Sequence, residues 1–155
     1  MTMADEIAVM NEGRVEQRGS ALELYDQPRT AFVANFLGNS NLLDGEMVGK
    51  EEFRTRAGQR IQVLAAGNGG SRIGVRPEKL RLLSADDELP DGAVNVLEGQ
   101  VTVASFLGTA IQYVVTTPEG EELMVVEQNR SHEPVGPGRS VRLAWRAEDT
   151  FVVES

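Results

Sequence analysis

The stretch Ile111-Gln112-Tyr113-Val114-Val115-Thr116, the turn residues Pro118-Glu119-Gly120 and the run Leu123-Met124-Val125-Val126-Glu127 together decide the fold class of this chain. β-branched and aromatic residues crowd both arms and a breaker-rich turn separates them, which predicts two extended strands folded back on each other. The same texture recurs on either side, in Arg60-Ile61-Gln62-Val63-Leu64, Ile73-Gly74-Val75-Arg76, Val101-Thr102-Val103, Val141-Arg142-Leu143-Ala144-Trp145 and Phe151-Val152-Val153. Turns fall at Gly67-Asn68-Gly69-Gly70 and Gly136-Pro137-Gly138. Short strands at near-regular spacing predict a small antiparallel barrel or sandwich. Asp86-Asp87-Glu88-Leu89-Pro90-Asp91-Gly92 is acidic and breaker-rich, and predicts a solvated loop splitting the β region into two arms.

Upstream of Asn39-Ser40-Asn41 the texture differs. Ile7-Ala8-Val9-Met10 and Arg14-Val15-Glu16-Gln17 flank Asn11-Glu12-Gly13, a hairpin signal. Ser20-Ala21-Leu22-Glu23 matches a capping box, so a short helix is expected from Ala21 to Gln27, ending before Pro28. A second helix fits Ala31 to Leu37, where Phe32 with Phe36 and Val33 with Leu37 stand four apart. Thr30 can cap its start and Gly38 can take the left-handed position after its end.

With 155 residues, 41% of them hydrophobic, the chain can bury one modest core plus an appendage. No apolar run nears the roughly 18 residues that span a bilayer, and the first residues lack the regions of a signal peptide, so the chain reads as cytoplasmic. Cysteine is absent, which removes disulfides, thiolate metal sites and cysteine nucleophiles. The net charge is −9 and the basic residues are scattered singly, which argues against nucleic acid as a partner. Thirteen of the fifteen basic residues are arginine, suited to bidentate pairing with the twenty-four carboxylates.

Catalytic constellations are missing. His132 is the single histidine and sits among Arg130, Ser131, Glu133 and Pro134, so it reads as a solvated loop residue rather than a general acid or base. One histidine and no cysteine make a first-row metal site improbable. Gly49-Lys50 precedes Glu51, and Asp44 stands where the first glycine of a P-loop would be, so no phosphate cradle forms there. Gly67-Asn68-Gly69-Gly70 reads as a turn rather than an anion nest. Two groupings have functional readings beside plain ones. Arg76-Pro77-Glu78-Lys79 could dock another domain or satisfy a strand end locally. Ser105-Phe106-Leu107-Gly108-Thr109 could form a partner surface, against the plainer expectation of a bulge that folds Phe106 into the core. Trp145, alternating with Leu143 and Val141, reads as core.

The run from Ala4 to Val15 resembles the segment just after the switch histidine of ABC ATPases. The resemblance continues through Gly19-Ser20-Ala21-Leu22-Glu23-Leu24-Tyr25-Asp26-Gln27-Pro28 and Phe32-Val33-Ala34-Asn35-Phe36-Leu37-Gly38-Asn39-Ser40-Asn41, which look like the junction in importer ATP-binding subunits of the spermidine/putrescine, maltose and ferric-iron group. Gly74-Val75-Arg76-Pro77-Glu78, Gly99-Gln100-Val101, Phe106-Leu107-Gly108 and Val141-Arg142-Leu143-Ala144-Trp145 are similar to the TOBE domain that follows that junction. Asn39-Ser40-Asn41 and Gln128-Asn129 resemble the polyamine-type branch.

The resemblance implies a mainly β chain in which an OB-like antiparallel barrel is preceded by a hairpin and two short helices. Residues 1–38 would be the end of an ATPase domain and 39–155 the regulatory barrel. The P-loop, the acidic magnesium strand, the signature sequence and the switch histidine of the family have no counterpart in this sequence, so no ATPase activity, no catalytic, cofactor or metal residue and no cofactor is expected of the chain itself; ATP and magnesium belong to the full-length family. The implied partners are a second copy, an ATPase domain and transmembrane permease subunits, at the inner face of the cell membrane. Arg76 and Glu78 are candidate charged contacts between domains or copies, and Phe106, Leu107 and Gly108 candidate apolar ones. The hairpin would be deprived of the ATPase sheet it normally joins. The alternative function is a sensor that binds a small ligand or oxyanion and controls the transporter.

Overall fold

A computed structural model of the chain describes residues 6–64, 70–128 and 135–153. His132, most of the Gly67–Gly70 stretch and Asn129 lie outside the described residues. Strands are β1 (Ile7–Asn11), β2 (Arg14–Gly19), β3 (Asn41–Met47), β4 (Glu52–Thr55), β5 (Arg60–Gln62), β6 (Arg72–Val75), β7 (Arg81–Leu83), β8 (Ala93–Phe106), β9 (Ala110–Thr116), β10 (Glu122–Gln128), β11 (Ser140–Arg146) and β12 (Thr150–Val153). Helices are α1 (Ala21–Asp26) and α2 (Ala31–Leu37), with 3-10 turns at Pro77–Lys79 and Ala147–Asp149. The fold is mainly β, with antiparallel pairing throughout the assigned ladders. Two compact units divide the chain, residues 1–74 with 148–155 and residues 75–147.

In the first unit, β1 and β2 form a hairpin whose turn residues Glu12 and Gly13 both take positive φ, as a two-residue hairpin turn requires. The two helix starts follow the sequence reading. Ser20 accepts the Glu23 N–H and Thr30 accepts the Val33 N–H through their side chains, each satisfying a donor that the first helical turn leaves open. Phe32 and Phe36 stack at 6.1 Å. Gly38 departs from expectation: its φ of 159° and ψ of 178° carry the chain out of α2 nearly extended, without the left-handed turn. Among the described residues the hairpin pairs with no further strand, and it is held instead by its face, where Val9 packs with Leu24 of α1 and Val33 of α2, flanked by Ile7 and Leu37. Gln17 ties the hairpin to the helix junction: its amide donates to the Gln27 carbonyl at 3.0 Å and its carbonyl accepts the Arg29 N–H at 2.9 Å. The remaining strands of this unit run in the order β12-β6-β3-β4-β5. Ala34, Phe151 and Val153 form a second cluster with Leu42.

The second unit is built on the five-stranded order β10-β9-β8-β11-β7. Leu123 pairs with Val115, Val125 with Tyr113, Val101 with Val115 and Leu143 with Leu97, so alternate residues of four strands share one buried face. Trp145 is buried opposite buried Asn95. The sheet curls until its two edges meet, where the Leu82 N–H lies 3.4 Å from a Glu127 carboxylate oxygen. A side chain thus covers part of an edge that closed barrels remove by pairing. The loop of residues 84–92 is exposed as predicted, but it splits nothing: β7 and β8 on either side of it both pair with β11. Among the described residues no helix is long and apolar enough to cross a membrane.

Candidate docking surface

β8 and β9 meet in a tip that begins at Phe106, paired with Ile111. The Leu107 N–H donates to the Ala110 carbonyl at 2.8 Å and Gly108 takes φ of 80°, which closes the turn. The bulge foreseen here lies further back, at Thr102 between Val101 and Val103. Its hydroxyl bonds the Val114 carbonyl at 3.1 Å. The extra residue moves Val103 to the outer face, opposite Val114, and returns Ala104 and Phe106 to the side of Tyr113 and Ile111. Phe106 nevertheless stays out of the core, because it stands beyond the last buried layer of β8; it is 62% exposed and Leu107 is 55% exposed. The core expectation for Phe106 is therefore corrected. Phe106, Leu107 and Gly108 come together as an apolar hairpin tip.

The charged candidates separate. Arg76 caps the 3-10 turn at Pro77, receives the Lys79 N–H on its carbonyl at 3.0 Å, and is only 2% exposed and partnered within the chain. Glu78 is exposed beside Leu80 and Glu127. They do not form one surface pair.

Sequence reading missed an open depression of about 800 Å³ on the outer face of the second unit's sheet, of mixed lining, with Glu98, Gln100, Thr102, Thr116, Ser140 and Arg142 among its polar residues and Pro118 and Val141 among its apolar ones. The available signal was the polar half of the period-two pattern in these strands. It also missed the order in the acidic loop. The Ser84 N–H donates to the Asp87 carboxylate at 2.8 Å and the Arg142 guanidinium donates to the carbonyls of Ser84 and Asp87. The bonds from the backbone and then the side chain of Ser84, with the nearby Arg142 charge, hold the Asp87 carboxyl below its ordinary pKa. Among the described residues no group of three or more His, Asp or Glu is placed to hold a metal.

Residues 73–153 match the family model described as the TOBE domain. The chain belongs to the TOBE-domain family. Its relatives are named spermidine/putrescine import ATP-binding proteins. The protein of Rubrobacter xylanophilus is 36% identical over 99% of this chain, that of Thermobifida fusca 38% over 99%, and that of Acidothermus cellulolyticus 41% over 97%. The matches cover 42%, 41% and 41% of those proteins, so the chain spans about two-fifths of their length, and it corresponds to the C-terminal part of an ABC importer ATP-binding subunit. Among solved structures, the cytoplasmic molybdate-binding protein ModG is similar at a TM-score of 0.57 and 15% identity, over 74% of this chain and 94% of its own. That likeness concerns the fold.

Proposed function

We propose that this TOBE domain regulates the ATP-binding subunit of an ABC importer for a small solute of polyamine type and stabilises its dimer. The observation that carries the reading is the β8–β9 tip, where Phe106 and Leu107 are both more than half exposed on a turn closed by its own hydrogen bond. Two adjacent large apolar side chains held in place form a contact point at little further ordering cost. In this reading residues 1–38 continue an ATPase domain and 39–155 form the regulatory domain, which works at the cytoplasmic side of a membrane permease. ATP chemistry stays with the parts of the subunit that carry the P-loop, since phosphoryl transfer needs phosphate and magnesium ligands in fixed positions.

Sedimentation velocity across a concentration series tests the contact. The wild type is expected to dimerise, and Phe106→Asp to weaken the dimer about 30-fold, the effect of losing an apolar anchor worth about 2 kcal/mol. A dimer indifferent to Phe106→Asp removes the tip from the interface, and a monomer at every concentration removes the dimer reading.

A second reading, oxyanion sensing by the domain itself, draws support from the fold shared with ModG and from the hydroxyls of Thr102, Thr116 and Ser140 beside Arg142 in the open depression, which Glu98 also lines. A thermal-shift series with molybdate, sulfate and spermidine tests it, because a ligand of the folded state alone raises the melting temperature. No shift with the oxyanions discards it.

A further inference from the structure

Four arginines gather in an acidic chain around β3 and its neighbours: Arg54 on β4, Arg56 just after it, Arg60 on β5 and Arg72 at the start of β6. Arg72 Nε meets Asp44 Oδ1 at 2.7 Å and Arg60 meets Glu52 at 3.7 Å, so two arginines and two carboxylates are mutually engaged. Arg54 and Arg56 are exposed, line one open depression with Asp44, Glu46 and Arg72, and have no ion pair among the described residues. Glu46 faces Arg54 across the β3–β4 pair without closing one. The Arg56 N–H is fixed on the Asp44 carbonyl at 2.8 Å, which holds the backbone under both side chains.

The loop between β7 and β8 has the opposite charge and comparable order. Asp87 is used internally, by the Ser84 N–H, while Arg142 pins the carbonyls of Ser84 and Asp87 and the Ala93 N–H closes on the Pro90 carbonyl at 3.1 Å. That leaves Asp86, Glu88 and Asp91 exposed on an ordered loop, without ion pairs among the described residues, around the partly exposed Leu89. Two unpaired guanidiniums, each able to take a carboxylate on two N–H bonds, match a loop offering three carboxylates.

We infer that the acidic loop of one copy of this chain docks on the Arg54–Arg56 face of a second copy. The inference rests on the dimer reading and replaces the charge pair that buried Arg76 cannot supply at a surface. Copies carrying a net charge of −9 repel one another on approach, so an attractive contact requires a place where basic side chains are not already neutralised, and Arg54 and Arg56, outside the Arg72–Asp44 and Arg60–Glu52 pairs, provide it. A two-fold dimer uses the contact twice, loop to face and face to loop. Charge complementarity of this kind sets which surfaces meet and in what register.

The test exploits that reciprocity in the full chain. One variant carries Arg54→Glu with Arg56→Glu, the other Asp86→Lys with Glu88→Lys. Each alone is expected to weaken self-association at least about tenfold, since like charges then face each other in both contacts. Mixed in equal amounts, the two regain attraction at both contacts and form a heterodimer within about threefold of the wild-type affinity. Loss in each variant without recovery on mixing overturns the inference. So does a wild-type dimer that neither reversal weakens, an outcome that leaves the dimer reading standing. A wild type that sediments as a monomer throughout overturns both.

Discussion

Gly45 of β3 pairs with Thr55 of β4 where no room is left for a side chain. A Cβ on it would lie 2.1 Å from the Arg54 carbonyl oxygen and 2.7 Å from the Phe53 ring, and the oxygen belongs to a paired strand that cannot step aside. Gly45→Ala is expected to destabilise the chain by about 2–3 kcal/mol through overpacking, read as a lower urea midpoint at constant slope. Gly108→Ala, with open space around it but φ of 80°, should cost about 1 kcal/mol, the strain of a left-handed backbone alone. Asp87 gives a prediction in pH. Its folded pKa is depressed, so its contribution is present above the unfolded aspartate value and fades as pH falls through the folded one. A carboxyl titration followed by NMR should show its midpoint below that of an ordinary aspartate, and Arg142→Gln should raise it. None of this was legible in residue order. Asp44-Gly45 gave no sign of a strand, and nothing near Arg76 distinguishes a buried guanidinium from an exposed one, whereas Phe106-Leu107 stood out because two large apolar residues beside a glycine do not continue a period-two strand.

The hairpin depends on one side chain that no pattern announced. Gln17 satisfies the Gln27 carbonyl and the Arg29 N–H on either side of Pro28, a residue that has no N–H of its own to offer. Gln17→Ala leaves both backbone groups without that partner in a half-buried place, and is expected to cost about 2–4 kcal/mol and to speed proteolytic cleavage within β1 and β2. Unchanged cleavage would show that Val9, Leu24 and Val33 hold the hairpin by themselves. The helices were legible because caps and i,i+4 pairs are local, and β9, β10, β11 and β12 because β-branched and aromatic residues crowd short runs between turn signals. β3 and β4 were not, since Asp44-Gly45-Glu46 and Arg54 present charges and a glycine where a strand usually shows apolar residues. Only their place beside β6 and β5 makes extended backbone favourable there. β8 was seen in pieces: Gly99 interrupts its apolar alternation, and the bulge at Thr102 shifts its phase.

At the scale of the whole molecule the chain leaves one compact unit at residue 74 and returns to it at 148, and the return is a structural necessity for the first unit alone. β12 borders β6 in the sheet, and its Phe151 and Val153 are buried with Ala34 of α2. The fit is close: a Cβ at Gly74 would lie 2.3 Å from the Phe151 ring. Ending the chain at Ala147 therefore removes two buried apolar side chains, each worth about 1.5–3 kcal/mol, together with buried Thr150, and leaves β6 with a bare edge. The second unit loses nothing of its own, because β7 to β11 and their core lie within residues 75–147. Amide hydrogen exchange on a chain truncated after Ala147 should show β3 and β6 losing protection while β8, β9 and β11 keep it, and residues 75–147 expressed alone should keep the same pattern. Loss of protection in all of these strands together would mean that the two units unfold as one, and that β12 supports the second sheet as much as the first.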